Sequence, residues 1–198
     1  FKPLDPWYRF HFHDSTTFDY SSTVEETKKE ISKFSPEDAE SYDNLLKESE
    51  KIFDIGFTKL SDQPFSSFWT MIKQIPYLLK LKSYESVSKM VSRHIKNKNI
   101  RSAFSIHPLL VGGNPYTTTS IYSLIHFLER KWGVFFCMGG TGKLVEELTN
   151  LMKRNDINIE TNKNLKSVEH KDSVAYKAIT ECGKEYKFDN LIFNGDPP

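Results

Sequence analysis

A glycine-rich turn that runs into a lysine, CMGGTGK, contains residue types that bind phosphate and begins at Cys137. A P-loop needs a glycine five positions before Gly142, so that backbone N–H groups wrap the phosphates, and a Ser or Thr after the lysine. Cys137 and Leu144 occupy those positions. A dinucleotide fingerprint begun at Gly140 puts Val145 where a small residue lets helix and strand approach. The spacing therefore argues against both phosphate motifs.

The same stretch is typical of a tight turn followed by an amphipathic helix. Thr141 is placed to cap the helix with its hydroxyl. Apolar residues then recur at helical spacing. They predict a buried stripe made of Leu144, Val145, Leu148, Leu151 and Met152.

Composition and charge limit the function classes. The 27 Lys or Arg nearly balance the 26 Asp or Glu, so we expect no general nucleic-acid binder. No run approaches the roughly twenty apolar residues of a spanning helix, and the first residues lack the basic-then-apolar order of a signal peptide, which indicates a soluble or peripheral protein. Cys137 and Cys182 lack metal or redox spacing, so a cytoplasmic, reducing compartment is predicted. The start at Phe1 suggests a piece of a longer protein.

The N-terminal third predicts a hairpin followed by two helices. PWYRFHFHDSTTFDY alternates with a period of two, and its turn begins at Asp14. His11 and His13 share one strand face, but no third ligand follows at a convincing spacing, so we predict packing and no metal site. A capping box at Thr23 and a Ser-Pro-Glu at Ser35 predict the helix starts.

Residues 65–98 combine aromatic and aliphatic bulk with clustered Lys and Arg. One interpretation is a helix in a membrane interface, whose apolar face enters the acyl chains while its cations contact lipid phosphates. The other is an ordinary amphipathic core helix with a solvated basic side. Pro76 is expected to end or kink this helix.

Strong breaks and then strands follow in the second half. Gly112-Gly113-Asn114-Pro115 predicts a turn, and Thr117 to Ser120 a cap for the next helix. After a helix that ends near Lys153, the pattern predicts strands at 157–161, 165–168, 173–179, 186–188 and 191–193. Asp172 and Gly183 suit the two tight connections.

The block from Ala103 to Met152 resembles the central part of bacterial-type phytoene desaturases. The segments that carry the resemblance are F-x-x-H-x-L-L-V-G-G-N-P, S-I-Y-x-L-I-H, W-G-V and G-G-T-G-x-L-V. The similarity extends on both sides, from Pro6 to Tyr20 and into Phe193-Asn194-Gly195-Asp196. It covers essentially the whole chain.

The resemblance implies an α+β fold that is part of a two-domain, glutathione-reductase-like flavoprotein. Residues 1–135 would form a substrate-binding and membrane-associating domain, and residues 136–198 a segment that returns to the FAD-binding domain. The family's dinucleotide fingerprint would precede this chain. The implied function is FAD-dependent desaturation of a phytoene-like polyene in carotenoid biosynthesis, with the membrane surface as a partner, because such a hydrocarbon must leave a bilayer.

Site residues also follow from the resemblance. Cofactor contacts are implied at Leu165, through its main chain, and at Asn194, Gly195 and Asp196. A polyene cavity is implied at His107, Leu109, Leu110, Asn114, Trp132 and Phe135. Acid–base candidates are weak: Thr70 and Lys73 stand where some relatives carry Asp and Arg, and His107 is either polar support for the glycine turn or a base.

Two alternatives remain open at this stage. A carotene isomerase or saturase of the same superfamily would keep the fold and the cavity but change the net redox outcome. A membrane-binding helical module would have no catalytic activity at all. Product mass and flavin absorbance distinguish these classes of protein.

Overall fold

A computed structural model describes residues 1–59 and 68–195. The chain divides into two compact units, Phe1–Met138 and Gly139–Pro198. Helices and small antiparallel sheets make up the described part, a mixed helix and sheet architecture. None of the helices found there is both long and apolar enough to cross a membrane.

The first unit is built mainly from short helices. Its strands are β1 (Lys2–Pro3), β2 (Tyr8–His11), β3 (Thr17–Tyr20) and β4 (Phe135–Phe136). Its α-helices are α1 (Val24–Ser32), α2 (Pro36–Phe53), α3 (Phe68–Lys80), α4 (Val87–His94), α5 (Lys98–Phe104) and α6 (Leu124–Trp132). A π-helical turn covers Asp54–Lys59, and 3-10 turns cover His107–Val111 and Ser120–Ser123.

The predicted hairpin is confirmed. Strands β2 and β3 pair antiparallel, with Tyr8 opposite Tyr20 and Phe10 opposite Phe18. Phe18 and Tyr20 are completely or almost completely buried, as the alternating pattern requires. At the turn, the Asp14 carboxylate accepts hydrogen bonds from the backbone N–H and the hydroxyl of Thr16, at 3.0 and 2.6 Å.

Both predicted helix starts are also confirmed. The Thr23 hydroxyl accepts a hydrogen bond from the backbone N–H of Glu26 at 3.2 Å, and Ser35 accepts one from Asp38 at 3.2 Å. Pro36 occupies the first turn of α2, where its missing N–H costs nothing. Pro76, in contrast, does not end its helix, because α3 continues to Lys80. A proline inside a helix removes one ladder hydrogen bond, and the helix can continue past it with a kink, the other outcome expected for Pro76.

The second unit contains one helix and a three-stranded antiparallel sheet within the described residues. Its elements are α7 (Thr141–Arg154), β5 (Leu165–Lys171), β6 (Val174–Thr180) and β7 (Glu185–Lys187), with sheet order β5-β6-β7. Asp172 and Gly183 lie in the two connections with positive φ, as their residue types predict.

Three predictions for this unit are wrong. The helix cap is Gly140, with φ of 81°, and Thr141 is already the first helical residue. The segments 157–161 and 191–193 are not strands, since no described segment pairs with them. The α7 stripe is not buried: its members are between 37% and 62% exposed, because no described residue covers it.

A half-buried arginine on α6 packs against the core of the first unit. The Arg130 guanidinium donates to the carbonyl of Ser21 at 2.7 Å, to the hydroxyl of Thr27 at 2.8 Å and to the hydroxyl of Tyr42 at 2.9 Å. It also lies over the ring of Trp7, with 4.4 Å between its carbon and the ring centroid. One cation therefore connects α6 to the hairpin, α1 and α2.

A second polar contact joins α2 to α4. The Glu48 carboxylate accepts hydrogen bonds from Arg93 and His94, each at 2.6 Å. Burial acts to raise the pKa of Glu48, but the hydrogen bonds from His94 and Arg93 outweigh burial and lower that pKa to about 2.

Arg130→Ala is expected to lower the free energy of unfolding by about 3 kcal/mol. The substitution leaves buried acceptors without donors and removes the cation from the aromatic rings. Urea denaturation measures the effect, and Arg154→Ala, at the exposed end of α7, is the control, with a change below about 0.5 kcal/mol. Equal effects of the two substitutions would contradict the role of Arg130.

Glu48→Gln is expected to reduce the acid sensitivity of folding. Because the folded-state pKa of Glu48 is lowered, the wild-type carboxylate contributes stability above its unfolded value, near 4.5, and loses that contribution as pH falls toward about 2. Denaturation at pH 6 and at pH 3 measures the difference. The stability gap between wild type and variant should shrink at the lower pH, and an unchanged gap would refute the assignment.

Candidate functional site

A buried carboxylate holds the His107–Val111 turn in place inside the first unit. Glu129 of α6 is 4% exposed and His107 is 1% exposed. The Glu129 carboxylate lies 3.2 Å from Nε2 of His107 and accepts a hydrogen bond from the Tyr8 hydroxyl at 2.6 Å. Burial, together with the hydrogen bond to Glu129, raises the pKa of Tyr8 well above its ordinary value. One carboxylate thus joins β2, α6 and the His107–Val111 turn.

A second histidine packs against the first. The ring of His126 lies edge-on to that of His107, with centroids 4.2 Å apart, and its Nε2 donates to the carbonyl oxygen of Phe104 at 2.9 Å. Burial, reinforced by neighbouring His107, holds the pKa of His126 well below its usual value, so the ring is neutral. The Nδ1 atoms of both rings have no hydrogen-bond partner among the described residues.

Position and burial favour a supporting role for His107 over direct contact with a substrate. Its hydrogen-bonding partner is Glu129, and the Gly112 and Gly113 N–H groups bond instead to backbone carbonyls of Leu109 and Pro108. Gly112 has φ of 70°, a left-handed conformation that favours glycine. His107 therefore fixes where the turn begins, and the glycines fix how it ends.

The other residues predicted to line a polyene cavity fall into two groups. Leu109 and Leu110 are 61% and 62% exposed on the 3-10 turn, and Asn114 is exposed beside them. Trp132 is the last residue of α6 and Phe135 follows that helix, and they are 50% and 53% exposed. Phe135 belongs to β4, which pairs with β1.

Trp132 belongs to an aromatic cluster, defined here as Phe53, Phe57, Phe127 and Trp132. The Phe53 ring centroid lies 5.1 Å from that of Phe57, 5.3 Å from that of Phe127 and 5.6 Å from that of Trp132. Such edge-to-face and offset pairs form a stiff apolar wall. Phe53 is buried, whereas Phe57 and Trp132 present 40% and 50% of their surfaces to the outside.

The predicted cofactor contacts lie in the second unit. Leu165 begins β5, is 40% exposed and pairs with Thr180. Within the described residues β5 is an edge strand, so alternate residues direct backbone N–H and C=O groups away from the sheet. Asn194 and Gly195 are exposed and lie outside helices and strands. Asp196 lies outside the described residues.

The lysine of the glycine-rich turn contacts acidic residues of its own helix. Lys143 Nζ lies 2.7 Å from Glu146 and 3.0 Å from Glu147, one turn further along α7. These contacts raise the pKa of Lys143. The Lys143 ammonium therefore has carboxylate partners in place, which adds to the spacing argument against a P-loop.

Two acid–base candidates carry no described side-chain geometry. Thr70 and Lys73 belong to α3, but the placement of their side chains lies outside the described residues. Tyr8, His126 and Glu129 were not predicted from the sequence. A signal was present for α6, because His126 and Glu129 are three apart and so share one helix face, and both are buried.

The match to a family model and the similarity to individual proteins agree with each other. The model of the family described as flavin containing amine oxidoreductase matches residues 1–198. The lycopene-forming phytoene desaturase of Pseudescherichia vulneris is 40% identical over 194 residues, which is 98% of this chain and 39% of that protein. The lycopene-forming phytoene desaturase of Pantoea ananas is 42% identical over 151 residues, which is 76% of this chain and 31% of that protein.

A further relative has a different reaction in its name. The 4,4'-diapolycopen-4-al dehydrogenase of Metabacillus indicus is 30% identical over 198 residues, 98% of this chain and 40% of that protein. The chain thus spans well under half the length of these relatives. Its match to the family model from the first residue to the last shows that the chain belongs to the flavin containing amine oxidoreductase family.

Proposed function

We propose that the complete protein carrying this chain is an FAD-dependent oxidoreductase that desaturates a phytoene-like polyene in carotenoid biosynthesis. The observation that carries this proposal is similarity over nearly the whole chain to phytoene desaturases at up to about two-fifths identity. The exposed aromatic wall is the structural feature that agrees with it, because a long hydrocarbon needs an apolar surface. One cation lies over this wall: the Lys131 ammonium is 4.8 Å from the Phe53 ring centroid and 5.6 Å from that of Trp132.

The cofactor residues have surroundings that suit FAD. An adenine edge recognised through main-chain groups needs an edge strand, and Leu165 lies on one within the described residues. Asn194 and Gly195 follow the sheet in sequence and are exposed, so their backbone groups are accessible to a ligand. Bound FAD would supply the hydride acceptor. The phosphate-binding turn would come from polypeptide outside this chain, since the spacing around Gly140 fails for phosphate.

The polyene slot would use the aromatic cluster together with Phe135. Desaturation breaks one C–H bond with loss of hydride and a second, on the neighbouring carbon, with loss of a proton. The role of this polypeptide is to orient the unreactive hydrocarbon substrate and to exclude water from it. Thr70, Lys73 and His107 remain the predicted candidates for the proton, and the burial of His107 favours a positioning role.

The second unit would return to the FAD-binding domain of a glutathione-reductase-like fold. The exposed stripe of α7 and the unpaired segments 157–161 and 191–193 each need a partner to bury apolar surface or to complete a sheet. A flavin domain built around a larger sheet provides both. Residues 1–135 would then form the substrate-binding part.

We also propose a peripheral membrane location on the cytoplasmic side. The substrate is a hydrocarbon that resides in bilayers, and α3 presents apolar side chains outward, among them Ile75, Tyr77 and Leu79 at 47%, 45% and 59% exposure. A helix of this kind lies in the interface with its axis parallel to the membrane.

Trp132→Ala is expected to lower kcat/KM for phytoene by roughly 10- to 100-fold, because deleting an aromatic anchor removes about 1.5–3 kcal/mol of apolar contact. Trp132→Phe, which keeps a ring, is the matched control and should stay within a few-fold of wild type. The assay uses the complete protein, and retained flavin absorbance verifies folding. An unchanged kcat/KM in Trp132→Ala would show that Trp132 does not line the slot.

Product mass tests the reaction itself. Desaturation yields products lighter than phytoene by two hydrogen atoms for each new double bond. An unchanged mass would identify an isomerase and a heavier product a saturase. Absence of flavin absorbance in the purified complete protein would leave only a module without catalysis.

A further inference from the structure

A cationic groove crosses the surface of the first unit, between α4, α5 and the loop of residues 105–116. It has a volume of about 620 Å³. Its charged lining residues are Lys89, Lys98 and Arg101, and no Asp or Glu is among the residues that line it. We name it the basic groove. Its lining charge is +3 in a chain whose formal net charge is +1.

The cations of the basic groove are only weakly neutralised. Lys89 Nζ lies 3.7 Å from a carboxylate oxygen of Glu85, and Glu85 is shared with Arg93 at 3.2 Å. Lys98 and Arg101 form no salt bridge within residues 1–59 and 68–195. Elsewhere on this unit exposed lysines do have acidic partners, as Lys28 has Asp43 at 2.8 Å. One ammonium, of Lys98, and one guanidinium, of Arg101, therefore line the groove without a carboxylate partner among the described residues.

Serine side chains give the groove its width. The hydroxyls of Ser92, Ser102 and Ser105 donate to backbone carbonyls one turn earlier in their own helices, at 2.7 to 3.0 Å. Small residues in these places leave room beside the long cationic side chains. An anion in the groove would be held mainly by Lys89, Lys98 and Arg101, which suits a phosphate group.

One side of the basic groove is apolar and protrudes. Leu109 and Tyr116, which line it, are 61% and 74% exposed, and Leu110 and Val111 continue the same turn at 62% and 57%. Consecutive large apolar side chains at such exposure mark an interaction surface. A soluble phosphate ion would make no contact with these apolar side chains, whereas a phospholipid has a charged headgroup next to its acyl chains.

We propose that the basic groove binds the phosphate of an anionic phospholipid headgroup while Leu109, Leu110, Val111 and Tyr116 enter the adjacent acyl region. The two halves of the site match the two halves of the ligand in charge and in polarity. Lys89 and Lys98 belong to the basic aromatic stretch 65–98, whereas Arg101 and the 109–116 loop lie outside it. None of the described residues of α3 lines the groove, so this is a docking site distinct from that helix. The proposal does not depend on desaturation, because vesicle binding requires no turnover.

Vesicle flotation of the complete protein tests the proposal. Wild type should float with vesicles that contain phosphatidylglycerol and much less with phosphatidylcholine alone, and added salt should weaken the binding. The double variant Lys98→Gln/Arg101→Gln should lose about 30-fold in partition coefficient, which corresponds to roughly 1 kcal/mol for each basic residue. Lys98→Arg keeps the charge and should bind like wild type.

Lys166→Gln/Lys187→Gln removes the same charge from exposed strands of the second unit and is the matched control, with binding expected within about 3-fold of wild type. Equal losses in the two double variants would show a general charge effect and overturn the site. Equal binding to both vesicle types would overturn the requirement for an anionic headgroup. Binding of inorganic phosphate without vesicle flotation would overturn the lipid as occupant.

Discussion

Two neighbouring charges on one helix determine how the first unit is assembled. Glu129 faces β2 and the His107–Val111 turn, while Arg130 faces the hairpin, α1 and α2. Neither charge is left alone: the carboxylate has a tyrosine and a histidine as partners, and the guanidinium has three oxygen acceptors and aromatic rings. Buried charges are tolerated only when paired in this way, so each partner must come to α6 in one orientation.

The positions of the aromatic cluster and of the His107–Val111 turn follow from that constraint. Trp132 lies two residues after Arg130, so docking of α6 sets the position of the aromatic cluster. The same helix, through Glu129 and His107, fixes the start of the turn that presents Leu109 and Leu110. An apolar wall and an apolar protrusion are thus held by one polar core.

Local features of the fold could be predicted from the sequence, whereas long-range polar contacts could not. Some features depend only on the types of a few adjacent residues, which the sequence gives directly. They are the hairpin, the caps at Thr23 and Ser35, and the turn at Gly183. Glu129 finds Tyr8 across 121 positions, and no local spacing records such a pair. The prediction of a buried stripe on α7 failed for a related reason. The helix has the periodicity of a buried helix, but periodicity does not say which segment covers it.

The central claim, that this chain belongs to a flavoprotein which removes hydrogen from a polyene, is tested most directly by the flavin spectrum. The complete protein, loaded with FAD and held without oxygen, is mixed with phytoene in vesicles. The account predicts loss of the oxidised-flavin absorbance in step with formation of a product lighter by two hydrogen atoms. A flavin that stays oxidised while phytoene is consumed, or phytoene that is left unchanged, would contradict it.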